Sequence, residues 1–432
     1  MNKKIVVIGG GYAGTEVIRQ LMRKGVSNIE IELISNKRYF ENIVGSTEII
    51  SDKIKAEELT YDLEELSNYW NFELTIGNVE NIDLIRKKVK IGRKEKDYDV
   101  LVVATGAESN FSNIRGSNLA LPAYNLSDFR IIKNKLKLLN KDYPNIVIVG
   151  AGFVGLQTVA EILDLFKTMD KKVKITVVEK MNSILPLYNN NLARRLAFEQ
   201  LSSRGVKFIL GNGVKRIEKG KCFLEDGSNL EADLTIWSAG IKSSKITSKI
   251  VGANLHEGFI EVDEKLLIKG RDNAFAIGDA AFVQINGKVA QKMAAEALEQ
   301  AETLAKNIIL SANGQKPRFN HIINYPTDLP KAFLSLGERK AILIGSKLLL
   351  GSVRSFPRLI KQVLRLPGAK RVRNIFSKVM AGPQVASMGT AEYLLKKRII
   401  EEIMERFPES GSLARAEIQQ VRRKMAAVSE QI

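Results

Sequence analysis

The 432-residue sequence predicts an α/β protein: two parallel-sheet domains, the second inserted into the first, followed by a C-terminal α+β domain. Three observations predict it. Strand, glycine-rich turn, helix and strand occur in succession twice, at residues 4–35 and 145–180. A further strand with a tight turn follows each copy at a similar distance. A late strand, Ala274-Phe275-Ala276-Ile277, ends in Gly278-Asp279 and returns the chain to the first unit. Each copy reads as a βαβ unit, whose crossover is right-handed.

The first copy enters with Ile5-Val6-Val7-Ile8 and turns at Gly9-Gly10-Gly11-Tyr12-Ala13-Gly14, a G-x-G-x-x-G. In such a turn Gly9 permits the sharp reversal and Gly11 lets the main chain approach a pyrophosphate. Gly14 lets the helix pack on the strand, and the helix N-terminus offers free N–H groups to phosphate. The strand Ile29 to Ile34 closes the unit. An acid is expected next, to bind a ribose. Ser35 stands there instead, and a hydroxyl is a weaker partner than a carboxylate. Tyr98 to Gly106 is the following strand, ending Ala104-Thr105-Gly106.

The second copy runs from Ile146-Val147-Ile148-Val149 through Gly150-Ala151-Gly152-Phe153-Val154-Gly155 to a strand ending in Glu179. A carboxylate there accepts hydrogen bonds from both ribose hydroxyls and repels a 2′-phosphate, which favours NAD over NADP. Lys180 works against that exclusion. Ala232 to Gly240 repeats the earlier strand and ends Trp237-Ser238-Ala239-Gly240. Both units are thus Rossmann-like dinucleotide-binding folds. Asp279, after a strand and a glycine, suits a polyol such as a ribityl chain, and equally a turn or helix cap. A helix is expected from about Lys292 to Ile309. Phe333 to Leu350 is strand-like, and a polar helical tail begins near Thr390.

Composition narrows the chemistry. Cys222 is the only cysteine, so a disulfide or a redox-active thiol pair within the chain is excluded, and a reducing compartment is expected. His256 and His321 lack the spacing of a zinc site. The N-terminus starts basic, but its apolar run is too short for a secretion signal. No stretch reaches the ~18 apolar residues that span a bilayer; Ala341 to Val353 is interrupted by Ser346, Lys347 and Ser352.

The net charge is +18 and unevenly placed. Nine basic residues and no acid lie between Ser346 and Met380: Lys347, Arg354, Arg358, Lys361, Arg365, Lys370, Arg371, Arg373 and Lys378. Val353, Phe356, Leu359, Ile360, Val363 and Leu364 share one helical stripe. Val372, Ile375, Phe376, Val379 and Met380 share another. A basic face beside an apolar stripe suits an anionic membrane surface, whereas ordinary solvated faces mix signs. Nucleic acid is disfavoured, because the two aromatics, Phe356 and Phe376, lie on the apolar stripes and not among the arginines.

With its two glycine turns, Ala104-Thr105-Gly106, Trp237-Ser238-Ala239-Gly240 and Ala276-Ile277-Gly278-Asp279 in this order and spacing, the chain resembles the pyridine nucleotide–disulfide oxidoreductase superfamily of flavoproteins. Ala104 to Phe111 and Phe333 to Ala341 are similar to segments of its type II NADH dehydrogenases. The resemblance implies an FAD domain over 1–113 and 262–325, an NADH domain over 114–261, and a C-terminal membrane-associating domain over 326–432. It implies that Asp279 holds the ribityl chain and that Val79 meets the adenine through its backbone. It also implies that Ala104, Thr105 and Gly106 border FAD, that Ala239 and Gly240 border NADH, and that the helix near Ala294 aims its N-terminus at the flavin pyrimidine. The implied activity is electron transfer from NADH through FAD to a quinone, without a thiol and without proton pumping. The implied location is peripheral, on the cytoplasmic face of the cell membrane; a homodimer is left open.

Two positions depart from that family. Gln157 stands where an acid usually follows the second glycine turn, so it can contact nicotinamide but carries no charge. Ala295 occupies the position of a quinone-associated glutamine, with Gln291 four residues earlier. A soluble NADH oxidase or ferredoxin reductase is the competing reading. Sulfide:quinone oxidoreductases rely on cysteines that this chain lacks.

Overall fold

Runs of β-branched residues buried on both faces make the strands. In chain order the principal ones are β1 (Lys3–Ile8), β2 (Ile29–Ser35), β3 (Glu73–Ile76), β4 (Val100–Val103), β5 (Leu121–Pro122), β6 (Asn145–Val149), β7 (Lys174–Glu179), β8 (Lys207–Leu210), β9 (Leu234–Trp237) and β10 (Ala274–Ala276). They form two five-stranded sheets, in the orders β10-β4-β1-β2-β3 and β5-β9-β6-β7-β8. Every pairing in both sheets is parallel. Such sheets must be covered on both faces, which is why their central strands read as unbroken apolar runs. Ile5, Val6 and Val7 pair with Ile31, Glu32 and Leu33 on one side and with Val100, Leu101 and Val102 on the other.

The computed structural model describes residues 2–26, 28–111, 114–327, 332–337, 340–344 and 349–350. Both sheets belong to one compact unit, Met1–Ala332. A second unit includes Phe333–Ile344. It carries a three-stranded sheet of Ala332–Ser335, Ala341–Ile344 and Leu349–Leu350, so the strand-like stretch at 333–350 is a set of short strands. The basic amphipathic segment 346–380, apart from Leu349–Leu350, and the tail from 390 lie outside the described residues.

Helix α1 (Tyr12–Arg23) buries Val17, Ile18 and Leu21; α2 (Phe153–Thr168) buries Leu156, Val159, Ile162 and Leu165. Helix α3 (Ala294–Ala312) packs on α1 through its small face, Ala297, Ala301 and Ala305. The helix begins at Ala294, as the resemblance implied and two residues after Lys292; Ala290 is held in a bridge to Pro326 and Met293 is extended.

Several elements were not visible in the sequence pattern. Val79–Asp83, Lys88–Ile91 and Lys94–Asp97 form an antiparallel meander, as do Val214–Glu218, Lys221–Leu224 and Asn229–Glu231. Ala107–Ser109 pairs antiparallel with Ile241–Ser243 and ties the two βαβ folds together. A charged cluster adds a second tie. Lys53 Nζ lies 2.8 Å from Glu161 Oε2 and 2.7 Å from Asp164 Oδ2 on α2, and Ser51 also bonds Glu161. Glu161 is fully buried, so these partners are needed to hold its charge. Among the described residues, no helix is long and apolar enough to cross a membrane.

Candidate functional site

The two glycine turns are built alike. Gly9 has φ +115°, and a Cβ there would lie 2.2 Å from the Ala104 carbonyl oxygen. Gly150 has φ +102°, and its Cβ would meet the Ser238–Ala239 backbone at 2.8 Å. The chain just after β4 in the first fold and just after β9 in the second therefore presses its backbone against the turn. That contact accounts for glycine at both positions. The third glycine of each turn packs on the first: Cβ atoms at Gly14 and Gly155 would lie 2.0 and 2.1 Å from the carbonyl oxygens of Gly9 and Gly150.

The middle glycines are different. A Cβ at Gly11 or Gly152 would meet no protein atom within 4 Å. Their backbone is extended, with φ −90° and −75°, which any residue adopts. Nothing among the described residues requires glycine at either position, while a ligand lying on the turn would. Both are N-caps without a side-chain capping bond, and neither helix has an acid in its first turn. The first N–H groups of α1 and α2 thus carry uncompensated partial positive charge, which suits an anion.

The residues at the strand ends differ between the folds. Ser35 is buried; its hydroxyl donates to Lys37 O at 2.7 Å and accepts from Lys37 N at 3.2 Å. Gly77 N donates to Ser35 O at 2.8 Å, which brings Val79, the first residue of its strand, to the same edge. Glu179 Oε2 accepts from Ala151 N at 2.8 Å within the second glycine turn, and its Oε1 accepts from Met181 N at 2.9 Å. Lys180 turns away to Glu225, 2.9 Å distant.

Beyond the first turn, Thr105 Oγ1 accepts from Ser244 Oγ at 2.9 Å, and Gly106 and Gly240 both have positive φ where the chain bends into the connecting ribbon. Gly278 sits against Ala13: a Cβ on Gly278 would lie 3.0 Å from the Ala13 Cβ and 3.7 Å from that of Ala297. Asp279 is therefore delivered beside the start of α1. Tyr124 Oη donates to Asp279 Oδ2 at 3.2 Å, and burial pushes the Asp279 carboxyl above the usual range against the opposing pull of Lys292. Ala294 is the first residue of α3, two residues after Lys292, whose Nζ donates to Asp279 O at 3.2 Å. Gln300 Oε1 accepts from Gly278 N at 2.8 Å, fixing that turn on α3.

Tyr124, Lys292 and Gln300 carried no motif, and sequence reasoning missed them. Gln157 is a partly buried residue early in α2. Gln291 is not a helical turn before Ala295, as its spacing implied: α3 starts after it, and its side-chain amide donates to Pro326 O at 3.1 Å. Cys222 lies in the core of the second fold, where burial pushes its thiol up to about 11 and keeps it protonated.

Two parallel sheets with matching phosphate-type glycine turns define a protein of the two-dinucleotide class. The chain belongs to the pyridine nucleotide-disulphide oxidoreductase family, whose pattern matches residues 3–301. It is 29% identical over 337 residues to the type II NADH:quinone oxidoreductase of Staphylococcus saprophyticus, covering 72% of this chain and 83% of that protein. Its fold is similar to that of NDH2 from Plasmodium falciparum in complex with NADH, with TM-score 0.72 and 17% identity over 85% of this chain and 95% of that one. It is also similar in fold to a ferredoxin reductase of Rhodopseudomonas palustris, with TM-score 0.65 and 20% identity over 79% and 82% of the two chains.

Proposed function

We propose that the protein is an FAD-dependent NADH:quinone oxidoreductase that works at a membrane surface without a thiol relay and without proton pumping. The observation that carries the reading is the pair Gly11 and Gly152, glycines that no protein contact demands, at equivalent places in two folds. FAD lies on the first turn, with its pyrophosphate at Gly9, Gly11 and Gly14, its ribityl chain at Asp279 and its adenine near Val79. NADH lies on the second, at Gly150, Gly152, Gly155 and Glu179, with Ala239 and Gly240 at its border and Gln157 toward the nicotinamide. When bound, the two cofactors would supply hydride transfer between nicotinamide and flavin, for which this chain needs no side-chain acid or base. Steady-state oxidation of NADH by the purified protein with a quinone acceptor tests the reading. Oxidation with oxygen or a ferredoxin but not with any quinone refutes it.

The glycines separate binding from folding. Gly11→Val is expected to fold with stability within about 1 kcal/mol of wild type, the scale of a changed N-cap, yet to purify without flavin. Gly14→Ala is expected to lose about 1–3 kcal/mol, because its methyl would overlap the Gly9 carbonyl. Thermal unfolding and the visible flavin spectrum measure both.

Glu179 supplies selectivity. Glu179→Ala is expected to raise KM for NADH about tenfold, the loss of roughly 1.4 kcal/mol of charged hydrogen bonding, while KM for NADPH stays level or falls. Steady-state kinetics with the two nucleotides check it.

The segment 346–380 brings the enzyme to the bilayer where the quinone resides, on the cytoplasmic face. Each basic residue near an anionic surface contributes ~1 kcal/mol, and salt screens that attraction. Reversing Arg358, Lys361 and Arg365 to Glu is expected to weaken flotation with anionic liposomes and activity towards long-chain quinones. Ferricyanide reduction should stay near wild type.

A further inference from the structure

Beside Asp279 lies a cation that makes no ion pair with a carboxylate among the described residues. Lys292 precedes α3 by two residues. Its Nζ donates to Asp279 O at 3.2 Å and to Ala281 O, and it sits 4.2 Å from the centre of the Phe259 ring. The Asp279 carboxylate, which pulls on Lys292 electrostatically, accepts its hydrogen bond from Tyr124. The ammonium is thus held by carbonyl dipoles and a ring face. Burial draws it down to about 8, with Asp279 pulling the other way. A cation so placed is costly unless an anion joins it.

The start of α3 adds to the same charge. Met293 gives no side-chain cap, so the first N–H groups are open. Glu296, the one acid in the first turn, does not neutralise them. Its Oε1 lies 2.6 Å from His321 Nε2, and its Oε2 accepts from Tyr325 N at 3.1 Å. Lys292 and the helix start therefore concentrate positive charge beside Asp279.

Resting on the FAD reading above, we propose that Lys292 tunes the flavin electrostatically: its ammonium stabilises the negative charge that the flavin gains on reduction. A hydride delivers two electrons and one proton's worth of positive charge, so the flavin becomes one unit more negative. A fixed cation favours that product over the oxidised form. The helix start makes part of this contribution in any sequence; Lys292 is the part belonging to this chain. Its two carbonyl bonds and the Phe259 face hold it in place without neutralising it, as a pre-set field requires.

The test is an anaerobic equilibrium titration of the full-length protein with a reference redox dye, supplied with excess FAD. At a fixed dye ratio, Lys292→Met is expected to show an approximately tenfold lower ratio of reduced to oxidised flavin, equivalent to about 30 mV for a two-electron couple. Lys292→Arg, which keeps the charge, should stay within about threefold of wild type. A Lys292→Met protein whose ratio matches wild type would overturn the proposal. So would one that takes up no flavin while Lys292→Arg does, since Lys292 would then be a binding residue only. A wild-type protein that holds no FAD refutes the underlying reading and not Lys292 alone.

Discussion

The structure depends on one repeated contact: main chain against main chain where β4 of the first sheet and β9 of the second end on a glycine turn. Gly9 meets Ala104 and Gly150 meets Ser238 and Ala239 at distances that leave no room for a side chain. A parallel sheet aligns its strand ends along one edge, so this contact also gathers the functional groups. Helix α1 starts where β1 ends, and Gly278 brings Asp279 onto that start by resting on Ala13. The second fold repeats the plan, with Glu179 clasping Ala151 in its turn. The empty space above Gly11 and Gly152 follows from the same geometry: the turn closes beneath the helix N-terminus and leaves its outer side open.

Much of this was legible in the sequence because close backbone approach leaves a mark. Only glycine satisfies such approaches, so the turns and their spacing are written in residue type, as is the alternation of apolar runs in buried parallel strands. The antiparallel meanders at 79–97 and 214–231 were not legible. They are half-exposed and carry lysines and glutamates along their length, so their apolar period is weak. The start of α3 at Ala294 is the one the resemblance implied, two residues past the Lys292 suggested by the apolar pattern and four past the bridge of Ala290 to Pro326. Tyr124 and Lys292 escaped notice because each acts through a partner remote in sequence. Tyr124 lies 155 residues before the Asp279 it bonds.

Charge is distributed to match the roles proposed. Acids buried within the first unit are paired: Glu161 with Lys53 and Ser51, and Glu296 with His321 and Tyr325. The first turns of α1 and α2 carry no acid, and Glu296 in the first turn of α3 is engaged by His321 and Tyr325, an arrangement that suits anionic cofactors. Cys222 is buried and protonated, so electron flow has the flavin alone as its protein-held stop.

That last point yields the most direct measurement. In an anaerobic titration of the flavin-loaded protein with NADH, one equivalent of NADH per chain should bleach the flavin completely, since NADH carries two electrons and no thiol pair shares them. A requirement for two equivalents, or no bleaching at all, would contradict the account.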